Sequence, residues 1–161
     1  MNEVRCQARV GARLAAQVAK RSDPARIARM VRLAHDDLAR RHRAVARVEA
    51  RFILASRRGA TLGEVFAAGV EQYGAEGFAD EWELHHQGGL TGYSGREIFA
   101  TPGAAHRLES GQALAWNPSI RRVKSEDTIL VTADRPELLT FTNRWPTEAA
   151  GEINRPALLI R

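Results

Sequence analysis

The densest potential chemistry in the chain lies between Trp82 and Glu97, which reads Trp-Glu-Leu-His-His-Gln-Gly-Gly-Leu-Thr-Gly-Tyr-Ser-Gly-Arg-Glu. It holds two adjacent histidines, side chains that titrate near neutrality, and an Arg-Glu pair. Four glycines in the same stretch let backbone approach backbone or ligand closely, because they carry no Cβ and tolerate positive φ. The apolar lead-in of Trp82 and Leu84 predicts a strand that delivers His85 and His86 to a loop. Neighbours in a strand point to opposite faces. One histidine is then expected to face a cleft and the other the core or solvent.

The elements that must position this stretch are legible on both sides of it. Ser22-Asp23-Pro24 reads as a helix start with proline at the first position. Val10–Ala19 looks helical, and residues 1–35 as a whole form a poorly defined N-terminal segment. Asp36 or Asp37 is expected to cap a long helix running to about Arg57. Leu38, Val45, Val48, Phe52 and Ala55 recur there at three- and four-residue spacing and make one apolar stripe. Gly59 is expected to end that helix. Thr61-Leu62-Gly63-Glu64 is a capping box. It opens a second helix with the stripe Leu62, Val65, Phe66, Gly69, Val70 and Tyr73, closed by Gly77. A three-residue turn between the two helices implies an antiparallel pair.

After Phe78 the pattern changes to strands and turns. Gln112–Asn117 alternates small and large, Asp127–Thr132 is β-branched, and Leu138–Phe141 is expected to pair back on it through the turn Ala133–Glu137. Pro156–Ile160 reads as a last edge strand. Helices followed by strands predict an α+β fold, with helices on one face of an antiparallel sheet.

At 161 residues, 44% hydrophobic and 27% charged, the chain is long enough to bury a core without disulfides. Cys6 is alone, which excludes a disulfide framework or a cysteine metal site and makes the cytoplasm the expected setting. No apolar run approaches the roughly 20 residues a bilayer span requires, and Met1–Lys20 lacks the apolar core of a signal peptide. Residues 1–60 carry 15 Lys/Arg against 5 Asp/Glu. That half contains one aromatic residue, Phe52, so base stacking has little to work with. A solvated arginine-rich helix face is the reading preferred over nucleic-acid binding.

Four motifs stand in a fixed order between about Arg41 and Thr140. They are Ala55-Ser56-Arg57-Arg58-Gly59-Ala60-Thr61-Leu62-Gly63-Glu64-Val65, the histidine stretch, Ala115-Trp116-Asn117-Pro118-Ser119-Ile120, and Lys124-Ser125-Glu126-Asp127-Thr128-Ile129-Leu130-Val131-Thr132 followed by Glu137-Leu138-Leu139-Thr140. Together they resemble the C-terminal half of the pita-bread fold of the M24 peptidase family, which includes Xaa-Pro aminopeptidases, prolidases, methionine aminopeptidases and creatinase. The resemblance implies a shortened pita-bread-like domain over residues 36–161. Peptidase members bind two divalent ions through two Asp, one His and two Glu. By the resemblance, the metal histidine falls at Gly89, the first metal glutamate at Asn117 and the second at Glu126. A substrate-contacting histidine falls at Arg96. One ligand of five is kept, so no metal and no cofactor is expected.

By analogy with creatinase, a metal-independent member, the resemblance makes His85 the general acid/base. Glu126 would orient it or hold a cationic group, and Arg96 would hold a carboxylate, with His86 and Asn117 also contacting substrate. The expected function is metal-independent C–N hydrolysis or, alternatively, a non-catalytic module that binds a small peptide or amino-acid-like ligand. A chain lacking most of the first half would expose a sheet edge, so a homodimer or a covering protein partner is expected. Plainer roles exist for the same residues. The histidines could be hydrogen-bonded strand residues, Glu126 a partner for Arg121, Arg122 or Arg96, and Arg96-Glu97 a surface ion pair. Trp82, Trp116 and Trp145 could be core or rim packing.

Overall fold

In the computed structural model, which describes residues 23–159, helix formation begins where the sequence places proline at the first helical position. The Asp23 carboxylate accepts a hydrogen bond from the Ala25 N–H at 3.0 Å, satisfying one of the free donors of the first turn. Helix α1 then runs without interruption from Pro24 to Ala55. The expected start at Asp36 or Asp37 is therefore corrected, since both lie inside the helix. The intervening Ala, Arg, Met and Leu are good helix formers with no breaker among them, so nothing stops the helix begun at Pro24. The Val10–Ala19 segment and Cys6 lie outside the described residues. The described residues divide into two units, with the boundary between Asp37 and Leu38. The site belongs to the second.

Helix α1 ends at Ala55, before the expected Arg57, and Ser56–Thr61 connects it to α2 (Leu62–Ala75). The connection is six residues rather than three. Gly59 has φ +87° but lies within this connection, where its N–H donates to Leu108 O at 2.8 Å. The capping box forms as the sequence predicts. Glu64 N–H donates to Thr61 Oγ1 at 3.2 Å, and Thr61 N–H to Glu64 Oε2 at 2.7 Å. Leu62, Val65, Phe66, Gly69 and Tyr73 are buried along one face of α2. The two helices touch at Gly69, where a Cβ would lie 2.1 Å from the Phe52 ring.

The sheet is antiparallel with strand order β2-β1-β3-β6-β7. Its strands are β1 (Gly88–Thr91), β2 (Ile98–Phe99), β3 (Ala113–Trp116), β6 (Asp127–Leu130) and β7 (Glu137–Leu138). Between β3 and β6 lies a small hairpin of β4 (Ser119–Ile120) and β5 (Val123–Lys124). Helices and sheet share one core. Val45, Val48, Phe52, Leu62 and Val65 pack with Leu114, Trp116, Ile129 and Val131. Phe52 stacks on Trp116 with centroids 4.6 Å apart. The indole N–H of Trp116 donates to Ser56 Oγ at 2.9 Å, which satisfies the one polar atom of a fully buried ring. The architecture is α+β, two helices packed on an antiparallel sheet.

A hairpin of β8 (Thr147–Ala150) and β9 (Ile153–Pro156) follows. The expected edge strand at 156–160 thus gives way to a strand that ends at Pro156 and pairs with a partner the sequence did not reveal. Ala150 packs with Ala46 and Ala50 of α1, and Ile153 closes over them. His42 Nδ1 lies 3.1 Å from Glu148 Oε1.

Candidate functional site

The lead-in to the histidines is not a strand. Glu81–Leu84 forms a 3-10 turn, His85 is extended, and β1 starts only at Gly88. Gln87 explains this. Its amide donates to Trp82 O at 2.9 Å and to His85 O at 2.5 Å, folding the turn back on the strand. Its own carbonyl lies 2.8 Å from the hydroxyl of Tyr73, which also lies 2.9 Å from Ser119 O and accepts from the Ser119 N–H at 3.0 Å. Burial pushes the Tyr73 phenol pKa up, so the hydroxyl keeps its proton. Without strand alternation, the two imidazoles do not point to opposite faces as expected. They stack, with centroids 4.3 Å apart, and Phe99 meets His86 edge-on at 5.1 Å.

Asn117 follows β3 and is buried, and its N–H donates to Gln87 O at 3.0 Å, which ties it to the histidine segment. Arg96 lies in the loop between β1 and β2. Its guanidinium reaches Gly95 O at 2.5 Å and stands 3.9 Å from Glu126 Oε1. Glu126 is also paired with Lys124 at 2.7 Å. The Arg96–Glu97 pair does not form part of this arrangement. Glu97 instead accepts from the Tyr93 N–H at 2.9 Å and shapes the loop.

Burial pushes the His86 pKa below its ordinary value, and the charges of His85, Arg96 and Lys124 push the same way, with Glu126 opposing. His86 therefore shares its surroundings with Arg96, Lys124 and Glu126. Among the described residues, four buried side-chain polar atoms lack a hydrogen-bond partner: His85 Nδ1, Arg96 Nε, Asn117 Oδ1 and Glu49 Oε1. Three belong to residues singled out by the sequence.

The tryptophans have packing roles. Trp116 is core, Trp82 meets Phe66 edge-to-face at 5.5 Å, and Trp145, half exposed, donates to Ala157 O at 2.9 Å.

Sequence reasoning missed Gln87, Lys124 and a buried ionic group beneath Glu126. Arg155 of β9 donates to Glu49 Oε2 through Nε at 2.9 Å and a terminal nitrogen at 2.6 Å, and it pairs with Asp127. Ser125 also donates to Glu49, and Thr140 to Asp127. Burial pushes the Glu49 carboxyl pKa up, while Arg155 and Ser125 pull it down. A signal was present in the sequence, a lone glutamate on the apolar stripe of α1, but nothing local named its partner.

The donor set does not fit a pair of divalent ions. Gly89 has φ +147°, and a Cβ there would lie 2.1 Å from Ile98 O and 2.9 Å from Ala100 N. The backbone therefore leaves no room for an imidazole at the position where the family resemblance puts one. Asn117 supplies a neutral oxygen in place of a carboxylate, a poor ligand for a hard cation. Among the described residues, no three His, Cys, Asp or Glu converge as ligands would.

Solved structures share this fold. A dipeptidase PepE from Mycobacterium ulcerans superposes with a TM-score of 0.58 at 22% identity, over 66% of this chain and 30% of that one. A dipeptidase from Pyrococcus horikoshii gives 0.59 at 20%, over 66% and 31%. The prolidase from Pyrococcus furiosus gives 0.56 at 23%, over 65% and 32%. The fold is part of the prolidase fold. This chain spans about a third of the length of those prolidases and dipeptidases. No family model matches it, and no curated protein does. No described helix is long and apolar enough to cross a membrane.

Proposed function

We propose that this protein binds a small amino-acid-like ligand, a carboxylate adjacent to an N–H group, at a metal-free site on a prolidase-type sheet. The observation that carries the reading is the set of buried, unpartnered atoms His85 Nδ1, Arg96 Nε and Asn117 Oδ1. Each such atom costs about 1–3 kcal/mol unless something completes it. A carboxylate suits the Arg96 donor, and an N–H suits the Asn117 acceptor. The solved structures that share the fold are named as dipeptidases and prolidases, which fits a short peptide or its derivative. Isothermal titration of N-acetyl-L-alanine against its carboxamide tests this. The acid binds more tightly, and Arg96→Gln removes the difference. Equal binding of acid and amide by the wild-type protein overturns the reading.

Metal-independent C–N hydrolysis is the second reading, favoured by the stacking of His85 on His86 with ring centroids 4.3 Å apart, next to the Arg96–Glu126 pair. In it His85 takes or delivers the proton and Glu126 orients it. Turnover of dipeptides in excess chelator, abolished by His85→Ala, supports it, and binding without turnover returns the site to the first reading. We further propose that the sheet pairs with a second copy or another protein chain. Leu139 stands half exposed just after the edge strand β7. A clean monomer at micromolar concentration by light scattering, with no partner present, refutes the homodimer.

A further inference from the structure

A cavity of about 480 Å³ opens beside His85 and His86. Phe66 of α2, Trp82 and Leu84 of the 3-10 turn, and Phe99, Ala100 and Pro102 at the end of β2 form its apolar walls. Gln87 also lines it, but both ends of that amide are committed within the protein. Glu83 and Thr101 are exposed. The stacked imidazoles of His85 and His86 complete the wall. Leu84 is 57% and Phe99 49% exposed, so two large apolar side chains stand open to solvent at the same place.

A cavity of this size and lining matches small-molecule sites, which are mostly apolar with a few placed polar groups. Water inside has few partners, so an apolar group displaces it favourably. We propose that the ligand carries a large apolar side chain, aromatic or branched aliphatic, seated in this cavity against the stacked imidazoles. The proposal rests on the ligand-binding reading above and adds the side-chain class that the site selects.

Titration of the full chain with N-acetylglycine, N-acetyl-L-leucine and N-acetyl-L-phenylalanine separates the two. The leucine and phenylalanine derivatives bind about tenfold or more tighter than the glycine derivative. Equal affinity across the series overturns the cavity assignment and leaves the carboxylate reading intact. Binding by none of them overturns the reading itself and the cavity assignment with it. Thr101→Trp fills the cavity from an exposed position. It abolishes the preference for the leucine and phenylalanine derivatives over the glycine derivative, and a preference that survives overturns the assignment. If circular dichroism shows that variant unfolded, Leu84→Asp places a charge at the exposed rim; it reduces the preference for the leucine and phenylalanine derivatives over the glycine derivative, and an unchanged preference overturns the assignment.

Discussion

Replacing Gly89 by alanine probes the feature that separates this site from a metal centre. At φ +147° an L-residue is confined to a region reserved for glycine, at about 1–3 kcal/mol. The added Cβ also meets Ile98 O at 2.1 Å, Ala100 N at 2.9 Å and Phe99 Cα at 3.0 Å. All three are backbone atoms of β2 and the residue after it, so no rotamer change relieves the contact. Pushing β2 away from β1 costs about 1–3 kcal/mol more by analogy with overpacked cores. The sum, roughly 2–6 kcal/mol, is a large part of the roughly 5–15 kcal/mol that holds a typical domain together. Gly59→Ala is the control. Gly59 has φ +87° but nothing within 4 Å of a Cβ, so it isolates the conformational cost. Urea unfolding followed by circular dichroism compares the two. With a slope of about 1–3 kcal/mol per molar urea, the Gly89→Ala midpoint falls by on the order of 1–3 M, well beyond the fall for Gly59→Ala. If Gly89→Ala is no worse than Gly59→Ala, the close approach of β1 and β2 is wrong. Gly89→His combined with Asn117→Glu gains no melting temperature from Mn²⁺ or Zn²⁺. A metal-dependent rise refutes the argument that the backbone has closed the metal position.

Three further outcomes are expected. Arg47 donates two hydrogen bonds to Glu76, at 2.6 and 2.5 Å, and holds its carboxyl pKa below the usual range. A depressed folded pKa gives stability that is present above about pH 4.5 and lost as pH falls through the folded value. Glu76→Gln therefore costs about 1 kcal/mol at pH 7, after discounting for the partly exposed Arg47, and progressively less as pH falls below about 4.5, as read by denaturation across an acid series. Gly69→Ala drives a Cβ into the Phe52 ring, which cannot yield because it is stacked on Trp116. A loss of about 1–3 kcal/mol or more in urea unfolding checks this. Glu126→Gln removes the one charge that raises the His86 pKa. Titration of the His86 ring signals by NMR should move to lower pH, and an unmoved curve would show that Glu126 does not act on it.

What the sequence revealed follows the range of each interaction. The capping box, the α2 stripe and the strand within Gln112–Asn117 are encoded within a few residues, and each formed where its pattern lies. The uninterrupted α1 was hidden because Asp36 and Asp37 resemble caps, although an aspartate inside a helix costs little when the helix is already nucleated upstream. The stacked histidines were misread because Trp82 and Leu84 alternate as a strand would. The Gln87 amide decides the geometry, and its three partners come from Trp82, His85 and Tyr73. The Glu49–Arg155 pair joins residues 106 positions apart, beyond any local pattern.

That last pair has a consequence for the order in which the molecule is made. During synthesis α1 and α2 leave the ribosome first, then the sheet, and Arg155 arrives only with β9. Until it does, the Glu49 carboxyl must stay in water or take up a proton, and the face of α1 that carries it cannot be sealed. A buried charge left without its counterpart costs about 3–5 kcal/mol, comparable to the whole margin of a modest domain. Docking of the β8–β9 hairpin is thus the step that seals α1. A copy that has not yet reached Arg155 keeps an open seam along that helix, and one that has reached it closes the seam.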